Sequence, residues 1–347
     1  MRRILFLIAA ALTVSLAQAQ EVGNVGTSAQ LSIIPRIDLN PYIGFNSDAG
    51  TDFSLSNSSL YTLFEGDLGE SFSYSIMNHW LSSEPASLYE DTFFHSDTNN
   101  WLDWAYITWA PSNFSFTLGK LPLALGVWEQ DAYDYEAHFD LNSTTWNELQ
   151  VFHWGGDVSY SFSDDVMATL QLTSSPFTVH PFDNGVFTSS LMFRKDSGDF
   201  NILASGNLMG FAKNHFVKML AFGGLYSFGD FVAGLDTEWH YDKTLMVNEA
   251  SAVASLEYDP SDKLNLIFKA GYEDCFSVNG FPKLPGAPKS LPLFCSPERF
   301  FGGVAAHYFP LADSDALRLH AVVAYDNGFP GLSINVGALY NIAIRIY

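Results

Sequence analysis

From residue 28 to the C-terminus one pattern repeats: apolar and polar residues alternate, a short polar turn follows, alternation resumes, and a longer connection leads to the next unit. In one instance the chain runs from Leu60 to Gly66, turns at Asp67 to Glu70, and returns through Phe72, Tyr74, Ile76 and Trp80 with Ser71, Ser73 and Ser75 between them. A period of two marks a strand with one apolar face. The next unit joins Trp101–Ala110 to Asn113–Lys120 through Pro111 and Ser112. Five more turn at Ser163–Asp165, Asp196–Gly198, Gly229–Asp230, Asp259–Asp262 and Pro310–Asp315, where Ser, Asp, Gly and Pro supply the turn chemistry. Single alternating stretches at 28–45 and 332–347 bring the expected count to about 16 strands. An even number lets the terminal strands pair.

This organisation predicts an all-β chain: a closed antiparallel transmembrane β-barrel with short periplasmic turns and long external loops. The strands, about 9 to 12 residues, are long enough to cross a bilayer when tilted. Aromatic residues fall at the ends of the apolar face, among them Trp80, Phe162, Trp239, Tyr258, Tyr272, Tyr308 and Tyr325, where membrane interfaces favour them. A soluble β-sandwich also alternates. The strict succession of short and long connections argues against it.

The N-terminus changes the picture next. Arg2 and Arg3 precede an apolar run from Ile4 to Leu16 and the triplet Ala17, Gln18, Ala19, a secretory signal peptide over 1–19 with cleavage after Ala19. Residues 20–347 then form one barrel domain in a bacterial outer membrane. Removing the signal takes two arginines and no acid, leaving 14 basic against 38 acidic residues and a charge near −24. Such acidity excludes nucleic acid as a partner. Disorder is excluded because 48% of residues are hydrophobic and 16% aromatic.

With the apolar face assigned to lipid, the other face carries Arg36, Asp38, Asp236, Glu238, Lys269, Arg318 and Arg345, a wet lumen of mixed charge. A barrel this wide is not filled by side chains alone, so a channel is expected unless loops plug it. The stretch WLDWAYITWAPSNFSFTLGKLPLALG, Trp101 to Gly126, resembles porins of the phosphate-selective O/P type. The resemblance implies a passive diffusion channel whose third external loop, here 122–148, folds inward as the constriction. It also implies a homotrimer as the candidate assembly. Such porins line their path with Lys and Arg, whereas this loop holds Glu129, Asp131, Asp134, Glu136, Asp140 and Glu148 and no base. With Lys120 at its entrance, the constriction is expected to prefer cations.

Cys275 and Cys295 flank a Pro-rich segment and read as a disulfide closing about 20 residues, worth roughly 3 kcal/mol in the loop-entropy argument. Two free thiols are the alternative. No cofactor and no metal site is expected; DAYDYE, residues 131–136, reads as a solvated acidic loop ahead of a calcium site. Neither G-x-S-x-G nor H-E-x-x-H occurs, so a non-enzyme is expected. The expected partners are membrane lipid, lipopolysaccharide and small hydrophilic solutes. A structural or adhesive barrel is the competing reading, and a barrel enzyme acting on lipids a weaker one.

Overall fold

The computed structural model describes residues 27–45, 51–55, 58–81, 101–131, 141–178, 180–241, 247–275, 298–312, 314–328 and 331–346. The signal peptide and its cleavage point, Cys295, Asp134, Glu136 and Asp140 lie outside the described residues. Within them the alternating stretches become eighteen strand segments of one antiparallel sheet: β1 (Thr27–Gly44), β2 (Thr51–Ser54), β3 (Ser59–Leu68), β4 (Phe72–Leu81), β5 (Leu102–Trp109), β6 (Phe114–Pro122), β7 (Phe152–Ser163), β8 (Val166–Ser174), β9 (Phe187–Ser197), β10 (Phe200–Ala212), β11 (His215–Phe228), β12 (Phe231–Tyr241), β13 (Val247–Ser261), β14 (Leu264–Cys275), β15 (Arg299–Tyr308), β16 (Leu317–Asp326), β17 (Gly331–Tyr340) and β18 (Ile342–Arg345). β2 and β3 both pair along one side of β1, and β17 and β18 along the other. Counted so, the segments make sixteen barrel strands, the number the alternation predicts.

Closure runs through β1, which pairs with β3 from Thr27↔Leu68 to Arg36↔Ser59 and with β17 from Arg36↔Leu339 to Gly44↔Gly331. The seam keeps its register into β18, from Gln30↔Arg345 to Ile33↔Ile342. Its two gaps fall at Pro35 and Pro41, residues with no N–H to give.

The outer surface is apolar and open to its surroundings: Ile37, Leu118 and Phe162 are more than 60% exposed. A band of this kind is at home in hydrocarbon. At the short-turn end ring contacts of 4.7 to 6.2 Å link Phe72, Trp109, Phe116, Phe114, Tyr160 and Phe162. Tyr226, Phe228, Phe231 and Tyr258 continue the belt at 4.4 to 5.7 Å. At the opposite rim Trp80 stacks on Trp101 and Phe45 on Tyr325.

Two expectations fail. Connections do not alternate strictly between short and long, because β10 and β11 are joined at the long-loop end by Lys213 and Asn214 alone. Asn214 takes the left-handed conformation, φ 60°, which asparagine tolerates in tight turns. Nor is the inner face uniformly polar. Met209, Val217, Met219 and Ala221 alternate with the exposed Leu208, Leu220 and Phe222, and are themselves buried inside the barrel.

Neighbouring residues in the middle of β6 test the two faces. Leu118→Arg should lower stability in phospholipid vesicles by about 2 to 4 kcal/mol, the cost of a cation near the bilayer midplane. Thr117→Arg, on the lumen side, should cost far less; guanidinium titration followed by tryptophan fluorescence measures both.

Candidate functional site

The buried apolar residues inside β10 and β11 are covered by the connection between β6 and β7, residues 123–151, which turns into the barrel. Its sequence supplies the complement: Leu123, Leu125, Val127 and Leu149 pack on Met209, Phe211, Val217, Met219 and Ala221. Each such side chain removed from water contributes about 1.5 to 3 kcal/mol. Between Leu125 and Val127 the chain passes close to the wall, and Ser205 Oγ donates to the Leu125 carbonyl at 2.5 Å. Gly126 permits the approach with φ +76°; a Cβ there would lie 2.6 Å from the Ser205 side chain.

Farther on, carboxylates of the wall hold the loop by its backbone. The Trp128 and Glu129 N–H groups, opening the short helix α1 (Trp128–Asp131), donate to the two oxygens of Asp236 at 3.0 and 2.9 Å. Gly223 leaves room for this, since a Cβ would stand 2.5 Å from Asp236 Oδ1 and 2.9 Å from the Trp128 ring. The Arg194 guanidinium covers that ring from 5.3 Å.

On its return the loop forms a second helix, α2 (Thr144–Glu148), started by Ser143, whose Oγ accepts the Trp146 N–H at 3.1 Å. Thr144 donates its N–H and its hydroxyl to Glu273, both at 2.6 Å, and Thr145 its hydroxyl to Glu238 at 2.5 Å. Arg299 then joins loop to wall: it donates to Glu273 at 2.9 Å, Asp326 at 2.7 Å, Thr144 Oγ1 at 3.1 Å and the Asn142 carbonyl at 3.2 Å. Lys269 reaches Glu129 at 2.6 Å and Asn142 Oδ1 at 2.5 Å, while Glu129 accepts the Ser143 N–H at 3.0 Å. Outgoing and returning halves of the loop are thereby tied to each other and to β14. Leu141 seats among Ile267, Ala305, Val322 and Ala324.

The residues singled out in the sequence are therefore divided. Asp236, Glu238, Lys269 and Glu129 come together as a clamp on the loop, with Lys269 paired to Glu129 and the other two carboxylates bonded to backbone N–H and hydroxyl groups. Arg36 and Asp38 bond at 2.6 Å, with His320 on the other Asp38 oxygen at 2.7 Å, and all three side chains are sealed from solvent. Arg318 is buried in the wall, and Lys120, 1% exposed, donates to the Leu102 carbonyl at 2.5 Å. Arg345 lines an open space. Asp131 closes α1; Cys275 ends β14.

Among the described residues, those of loop 123–151 pack chiefly against β10 to β16, with Gln171 of β8 accepting the Ala124 N–H at 2.9 Å, and they do not fill the opposite side of the lumen. There a cavity of about 630 Å³ runs between the loop, at Val127, Gln130, Trp146 and Asn147, and the wall of β4 to β9, at His79, Asp103, Tyr106, Thr117, Asp157, Thr169 and Arg194. A second, about 570 Å³, lies toward the short-turn end among Gln30, Glu65, Asp67, Ser73 and Arg345. Tyr106 borders both.

Sequence reasoning passed over Arg299, Thr144, Thr145 and Trp128. A signal existed: Asn142-Ser143-Thr144 was legible as a helix start, with Ser143 as N-cap. A run apolar on both faces, Leu208 to Phe222, also marks a strand covered from inside.

No family model and no curated protein matches this chain. Solved structures do. A loop L8 deletion mutant of OmpT, an outer membrane protein of Vibrio cholerae, superposes with a TM-score of 0.58 at 13% identity, covering 91% of this chain and 99% of that one. A variant of the Rhodobacter blastica porin gives 0.55 at 12% identity, with 90% and 100% covered. The trimer form of the Vibrio protein gives 0.55 at 12%, with 91% and 100% covered. At these identities the likeness establishes the barrel fold.

Removing one partner from the clamp should free the loop. Glu273→Ala leaves Arg299 short of a carboxylate and two Thr144 donors without an acceptor, a loss of roughly 3 to 5 kcal/mol for a buried pair. Hydrogen exchange of amides 143–149 should accelerate accordingly while the β10–β13 amides keep their protection; unchanged loop exchange would show that the apolar anchor alone holds it.

Proposed function

We propose that the chain is an outer-membrane porin through which small hydrophilic solutes and ions diffuse, with loop 123–151 as its constriction. The observation that carries this reading is the loop pinned to one wall beside a cavity lined by polar side chains on the other. A plug would fill the section; the described residues of this loop occupy one side of it. The porin among the matched structures supports the same reading, the trimer form supports a homotrimer, and both support an outer-membrane location. The phosphate-selective type rests on the sequence resemblance alone. In this reading the protein is a passage and not an enzyme.

The preference is mildly cationic, and its source moves from loop to wall. Glu129 is committed to Lys269, so it adds little net field. The two cavities are bordered instead by Asp103, Asp157, Glu65 and Asp67 against Arg194 and Arg345. Carboxylates facing a narrow passage concentrate cations and repel anions.

Planar-bilayer recording should show stepwise conductance and a reversal potential in a KCl gradient that indicates modest potassium preference. Asp157→Asn should lower the potassium-to-chloride ratio roughly two- to fivefold at low salt, the scale of one partly screened charge. Glu129→Gln should leave the ratio nearly unchanged. The reverse ranking would return selectivity to the loop, and absence of conductance would remove the porin reading.

A further inference from the structure

We propose that the larger cavity is a binding step for neutral hydroxylated solutes of sugar size, a proposal that rests on the porin reading and assigns its substrate class. Every charged group there already has a partner in the protein. Asp103 is bound by His79 at 2.5 Å, Arg194 by Asp196 at 2.5 Å and by the Trp128 ring, and Asp157 accepts from Thr117 and Gln171. An anion shedding water here meets Arg194 already engaged, while Asp157, bonded to neutral groups, still favours cations. Two kinds of surface remain for a solute. Hydroxyl and amide groups line the cavity, from Gln130 and Asn147 on the loop and Ser115 on the wall, and aromatic rings line it too, from Trp146 on the loop and Trp104 and Tyr106 on β5.

That pairing matches a pyranose, whose axial C–H faces are apolar and whose rim carries hydroxyls. Such a ring stacks on indole or phenol and exchanges water hydrogen bonds for amide and hydroxyl ones, losing little on dehydration. The platform is held in place: the Trp104 indole N–H donates to Ser75 Oγ at 2.7 Å and its ring leans on Phe152 at 5.4 Å. A ring fixed before the solute arrives forfeits little rotamer entropy on binding. The volume, about 630 Å³, lies within the range of sites that enclose a small organic ligand.

The test uses single full-length channels in planar bilayers bathed in KCl, with maltose, sucrose or raffinose added on one side and phosphate in parallel. The proposal expects transient interruptions of the potassium current whose frequency rises with sugar concentration. Residence should shorten about two- to tenfold in Trp146→Ala, the scale of one aromatic contact. Trp104→Leu, on the other wall, should act in the same direction, and retained KCl conductance certifies that either variant is folded. Steady conductance undisturbed by all three sugars would overturn the proposal and leave the porin reading intact. So would interruptions by phosphate alone, or sugar residence times equal in wild type and both variants. Absence of any KCl conductance would remove the porin reading, and the proposal with it.

Discussion

Hydrocarbon offers no hydrogen bond to a free strand edge, and that one constraint organises the molecule. β1 answers it by pairing on both sides, with β3 and with β17 and β18. The pairing also explains where the prolines sit. Pro35 and Pro41 occupy the positions at which the seam already lacks a pair, so the missing N–H costs no further ladder bond. Closure at sixteen strands then creates a second problem, because a ring of that circumference encloses more space than its own side chains fill.

The inward loop answers the second problem, and magnitudes show how. Its apolar anchor, with Leu123, Leu125, Val127 and Leu149 against the β10–β11 wall, contributes several kcal/mol without direction. The polar contacts on β12 to β15 contribute less net energy apiece, since burying each carboxylate costs solvation that its partners must offset. What they add is position. Asp236 gripping two successive amides and Glu273 gripping the N–H and hydroxyl of one threonine each admit few loop placements.

The fold was legible because period-two alternation and turn residues are local. All seven hairpins could be placed from Asp, Gly, Ser and Pro at their turns. Asn214 was missed for the same reason, as it sits alone between two strands with no second turn residue beside it. The clamp was partly legible: Asp236, Glu238 and Lys269 could be assigned to the lumen, since facing direction follows from alternation. Their partners could not. Glu273 meets Thr144 across 129 residues of chain, and nothing local in either segment announces the other. Of the loop's acids Glu129 shows the same limit, since nothing local announces its pairing with Lys269.

Pinning the loop to one wall also decides which residues the solute meets. The strands with the densest charge, β12 to β15, are covered by the described residues of the loop and bonded to them, so they set where the constriction stands. Passage is left to β4 through β9, whose inner faces carry Ser115, Thr117, Ser159 and Thr169 beside isolated charges. Ser159 and Thr169 bond each other at 2.8 Å, as Thr108 and Thr117 do at 3.2 Å, so even the hydroxyl lining is preordered by cross-strand pairs. The strongly negative total charge therefore says little about permeation. Acids remote from the lumen are screened within about 8 Å at physiological salt, and in the clamp Glu129 and Glu273 are matched by Lys269 and Arg299. A hydroxyl-lined half-lumen carrying a few carboxylates is what that arrangement leaves, and it is this half that a diffusing molecule samples.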